Sequence, residues 1–94
     1  MDCGLREKIV RLLVTRGWSI EELAMMPDSS LKFSATERLN DVDSDISGLK
    51  AAGLWPMPVW MQKGCVKLHG EASSAVQMIL AMSEFDAATV YAAR

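Results

Sequence analysis

The side chains able to do covalent or metal chemistry are few in this sequence and poorly spaced for it. Cys3 and Cys65 are the two cysteines, His69 is the single histidine, and Asp41, Asp43 and Asp45 alternate along a short acidic run. Structural zinc takes four ligands, and Cys65 with His69 would supply two at most. A cysteine nucleophile requires a base held close by. Along a strand, Cys65 and His69 would stand about 13 Å apart, beyond such reach. The alternating aspartates open like a calcium loop, which requires Gly at its sixth position and Glu at its twelfth. Counted from Asp41, those positions hold Ile46 and Ala52. Phosphate loops, the Gly-x-Ser-x-Gly elbow and dinucleotide fingerprints are also missing from the sequence. The expectation is a binding protein and not an enzyme, with no catalytic or metal-ligating residues, no cofactor and no small-molecule substrate.

Composition narrows the setting. Ninety-four residues suffice for one domain, 1–94, and not for two independent cores. Half of the residues are hydrophobic, ample for a core and enough to leave apolar surface for a protein partner or a homodimer. Neither cysteine belongs to a CxxC pair, which points to free thiols in a reducing compartment. The opening Met-Asp-Cys-Gly-Leu-Arg-Glu-Lys has no apolar h-region of a secretory signal. The longest uncharged stretches, 51–62 and 72–83, run for 12 residues each, short of the ~20 that a membrane span requires. A cytoplasmic protein without membrane contact is expected.

Net charge is −2, unevenly spread. Residues 1–17 hold four basic and two acidic groups, and residues 18–48 hold two basic and seven acidic ones. Residues 49–70 carry Lys50, Lys63 and Lys67 with no acid. A polyanion would have to be met by the first or third of these segments.

The elements that must position these residues are marked by local signals. Leu5, Ile9, Leu12 and Leu13 form one stripe of an amphipathic helix that Gly17 closes. Ser19 and Glu22 make a capping box, flanked by Trp18 and Leu23 as a hydrophobic staple, so a second helix starts near residue 20 and Pro27 ends it. Ser34 and Glu37 offer another box for a short helix to about Asn40. Asp41 or Asp43 then caps a helix with Ile46, Leu49 and Ala52 on one face, stopped by Gly53. Beyond Pro56 and Pro58, Val59-Trp60-Met61, a Lys63-Gly64 turn and Cys65-Val66-Lys67-Leu68 read as a β-hairpin. In it Met61 faces Val66, Val59 faces Leu68, and Trp60 points to the opposite side. Ser74 and Gln77 open a last helix on Val76, Ile79 and Leu80, with a break near residue 83 and a recap from Ser83 or Asp86.

The stretch 34–68 resembles the winged helix-turn-helix superfamily. The resemblance rests on Ser34-Ala-Thr-Glu-Arg-Leu39, on Asp45-Ile-Ser-Gly-Leu-Lys-Ala-Ala-Gly-Leu54, whose Leu49-Lys-Ala-Ala-Gly-Leu54 closure is shared with that superfamily, and on the hairpin. It implies an α+β, mostly helical fold of three to five helices with one hairpin as the wing, and a small regulatory module associated with transcription. In that family the helix before the wing reads the major groove and the wing touches phosphates, which would assign Arg38, Lys50, Lys63 and Lys67 to DNA. Asp41, Asp43 and Asp45 at the tip of the reading helix would instead repel the phosphate backbone, though they suit the positive end of the helix dipole. That favours the alternative, a protein-interaction adaptor or inhibitor without nucleic acid. Its interface would be the stiff, apolar segment 54–61, through Trp55, Met57, Trp60 and Met61, together with Asp43 and Asp45.

Overall fold

The computed structural model describes residues 3–70 and 73–83, and these form six helices with no strand among them. They are α1 (Cys3–Thr15), α2 (Ile20–Ala24), α3 (Asp28–Glu37), α4 (Val42–Ala52), α5 (Val59–His69) and α6 (Ser74–Met82). None is long and apolar enough to cross a membrane.

Local signals place most of the helix ends. The α1 stripe buries Ile9, Leu12 and Leu13, and Gly17 follows with a positive φ of 97°. Ser19 caps α2, its Oγ accepting the Glu22 N–H at 3.1 Å. Asp41 caps α4, accepting the Ser44 N–H at 2.8 Å, and Gly53 ends it in the left-handed region, where a side chain would be strained. The last helix is capped by Ser73, one residue before the expected Ser74, and ends at Met82. The recap expected at Asp86 lies outside the described residues.

Two expectations are corrected. The helix thought to begin at Ser34 begins at Asp28, directly after Pro27. Leu31, Ser34 and Ala35, at i, i+3 and i+4, are its buried face, so Ser34 lies inside a helix and caps nothing. The larger correction concerns fold class. The α+β, winged-helix-like architecture is overturned, because the residues 59–68 assigned to a hairpin lie within the single helix α5. Pro58 precedes the first turn, where a proline costs no intrahelical hydrogen bond. Met61, Cys65 and Val66, at i, i+4 and i+5, then point together into the core. Met61 does not face Val66 across a turn, and Lys63-Gly64 is no turn at all.

One apolar core joins the helices, centred on Ile9, Leu13, Leu31, Leu49, Met61 and Ile79. α1 packs on α3 and α4, α5 packs on α3, and α6 closes against α4 and α5. Arg6 locks the α1–α2–α3 corner. Its guanidinium donates to Asp28 at 2.6 Å and to the carbonyls of Leu23 and Met26.

Candidate functional site: a basic, aromatic groove between α3 and α5

The packing of α5 on α3 is made possible by Gly64. A β-carbon there would lie 2.9 Å from Thr36 Cγ2, so α5 can seat on α3 only where its side chain is a hydrogen. Thr36 is held in turn, its Oγ1 donating to the Phe33 carbonyl at 2.9 Å. Its own carbonyl lies 2.9 Å from His69 Nε2. A carbonyl only accepts, so Nε2 carries the proton.

Above this contact runs an open groove of about 190 Å³ lined by Lys32, Phe33 and Thr36 from α3 and by Trp60, Gly64, Lys67 and Leu68 from α5. The α5 residues recur at i, i+4, i+7 and i+8, one face of a helix. Phe33 is 52% exposed and Leu68 41%, while Trp60 is half-buried against the core. Lys32 Nζ stands 5.4 Å from the Trp60 ring centroid, within cation–π range. The groove therefore offers three apolar walls with ammonium groups among them.

The structure brings Trp60 and Lys67 together here and places Lys63 on the same helix. Lys32 and Phe33 join them, two residues that sequence reasoning left unassigned. Their signal was available in the buried period of Leu31, Ser34 and Ala35, which extends α3 back to residue 28. Other expected residues do not converge. Arg38 is exposed at the end of α3, and Lys50 lines a separate cleft with Asp43, Ile46, Ser47 and Met82. Trp55 is half-buried against the core. Met57 and Met61, expected at a partner interface, are 3% and 0% exposed. They are core, because a helical α5 turns Met61 inward and the 53–58 connection tucks Met57 beneath it.

Asp45 is likewise occupied. Its Oδ2 accepts the N–H groups of Asn40 at 2.8 Å and Asp41 at 2.9 Å, fastening the entry to α4. Its Oδ1 lies 3.9 Å from Arg16 Nη2, which makes no hydrogen bond among the described residues. Arg16 Nη1 donates to the Ala35 carbonyl at 2.8 Å. Burial lowers the Arg16 pKa, and Asp45 partly offsets this. Of the acidic tip, Asp43 is exposed toward solvent.

Cys65 is fully buried, and desolvation pushes its pKa up to about 12. Burial thus favours the protonated thiol over the thiolate, the nucleophilic form. On α5, Cys65 and His69 are one turn apart rather than the ~13 Å expected along a strand. Among the described residues no group of three or more His, Cys, Asp or Glu is placed to hold a metal ion. No protein-family model, curated protein or solved structure matches the chain.

Proposed function

We propose that this protein is a small regulatory binding module that works by docking a protein partner and not by catalysis, with the groove between α3 and α5 as its docking surface. The observation that carries this is the exposure of Phe33 and Leu68 beside Trp60, ringed by Lys32 and Lys67 in a chain of net negative charge. Such a surface suits a partner segment that pairs apolar anchors with carboxylates, since apolar contacts supply affinity and charges supply register and rate.

Single-stranded nucleic acid is the rival occupant of a basic, aromatic groove. It is disfavoured because Lys32 already sits over the Trp60 ring, the surface on which a base would have to stack.

The test is affinity capture from native lysate with and without nuclease, comparing wild type with a Phe33→Ala/Lys67→Glu variant. A protein retained after nuclease treatment and lost with the variant is expected. Phe33 is half exposed and Lys67 exposed, so the variant should unfold within ~0.5 kcal/mol of wild type. Capture that nuclease abolishes, or that the variant leaves intact, would overturn this function.

A further inference from the structure

α1 carries apolar residues on two sides. Ile9, Leu12 and Leu13 face the core. On a second side, Cys3, Val10 and Val14 line an open groove of about 680 Å³ together with Ile20 from the start of α2, with Val10 at its border, packed partly against the core. Val14 is 40% exposed and Ile20 65%. At 3.6 residues per turn this second stripe lies about 125° from the core stripe, outside the apolar face and where a surface helix ordinarily carries polar residues. α2 is five residues long and does not cover it.

The charges on the rim restrict what could. Arg6, Glu7 and Arg11 border the groove. Arg6 is committed to Asp28 and two carbonyls, which leaves Glu7 and Arg11, both exposed, one turn apart and opposite in sign. A covering helix must present the same pair in reverse order. A second α1 running antiparallel does this. Centred between Lys8 and Ile9, with a rise of about 1.5 Å per residue, such a pairing sets Cys3 level with Val14 of the second copy. Glu7 then lies level with Val10 of that copy, one residue from its Arg11. The contact is self-complementary, as a two-fold interface has to be.

We infer that the outer face of α1 is the interface of an antiparallel, two-fold homodimer, with Val10 and Val14 as its seam and Glu7–Arg11 pairs crossing it. This surface is distinct from the α3–α5 groove and does not depend on what that groove binds. One helix pair is at the small end of specific interfaces, so the dimer should dissociate at micromolar concentration.

Sedimentation velocity of the full chain over a dilution series tests it. Wild type should pass from monomer to dimer, and Val14→Glu should raise Kd by about tenfold or more with no shift in the unfolding midpoint, since Val14 is already part exposed. Glu7→Arg and Arg11→Glu should each weaken the dimer alone and restore it when mixed. Val14→Cys should cross-link to Cys3 of the second copy on oxidation. A wild type that stays monomeric throughout, a dimer indifferent to Val14→Glu and to the charge swap, or a Cys3–Cys3 disulfide marking a parallel pair would each overturn the interface. A monomer whose Val14→Glu form loses a captured protein would also overturn it, and would assign the face to a different partner.

Discussion

Cys65 shows how burial converts a reactive residue type into an inert one. Its pKa is pushed from 9.0 to about 12 by desolvation, so the folded state holds this proton more tightly than the unfolded chain does. The resulting stability is complete below pH 9 and is lost as pH rises toward about 12. The Cys65→Ala variant should lack this part of the alkaline decline, measured by denaturant unfolding between neutral and alkaline pH. A thiol reagent should modify exposed Cys3 in the native protein and reach Cys65 only on unfolding; equal rates at both would place Cys65 at the surface. Arg16 is buried for a different reason, as the donor to the Ala35 carbonyl and the counter-charge to Asp45. Removing it takes the donor from the Ala35 carbonyl and the counter-charge from Asp45, so Arg16→Ala should lower stability by about 2 kcal/mol in urea unfolding, the range for a charged hydrogen bond.

At the scale of elements, the α3–α5 contact makes the sharpest claim. An alanine in an exposed helix interior stabilises by up to ~1 kcal/mol over glycine. At Gly64 the sign should reverse, because the new methyl meets Thr36 Cγ2, and overpacking of this kind costs about 1–3 kcal/mol. Thr36→Ser removes that methyl while keeping the hydroxyl bonded to the Phe33 carbonyl. In the Thr36→Ser background, Gly64→Ala should therefore become neutral or stabilising, a sign change that a double-mutant cycle reads directly. The same residue explains why α5 was not legible in the sequence. A glycine after a lysine between short apolar runs imitates a hairpin turn, and Val59 with Met61 and Val66 with Leu68 each fit a period of two, while Met61 and Cys65 fit one of 3.6. Only the facing helix shows that Gly64 is there for clearance. α1, α2 and α4 were legible because their ends are set by local chemistry, through Ser19, Asp41, Gly17 and Gly53. Part of the candidate groove was legible too. Trp60 and Lys67 could be singled out by type, whereas Phe33 and Lys32 enter only once α3 starts at Asp28.

For the whole molecule, the decisive matter is where the cations end up. Arg6 and Arg16, which made the first helix look basic, are spent on Asp28, Asp45 and main-chain carbonyls. Lys50 shares its cleft with Asp43, and the hairpin that would have carried Lys63 and Lys67 to phosphates is a helix. Random duplex DNA should accordingly bind weakly or not at all at physiological salt in fluorescence anisotropy. Tight binding whose log K falls by about 0.9 per phosphate neutralised, with a slope flattened by removing Lys63 and Lys67, would contradict this.

The connection between α4 and α5 has a consequence for exchange with solvent. Met57 sits in it, 3% exposed, its N–H donating to Ser83 Oγ at 3.1 Å and its carbonyl accepting from Gln62 Nε2 at 2.8 Å. Amides in connecting segments usually exchange quickly, since their local opening costs little. This one is released only when the end of α6 parts from the segment, so its deuterium uptake should be slow and should follow that of the core helices. Ser83→Ala should accelerate it selectively while leaving the amide of buried Leu31 unchanged.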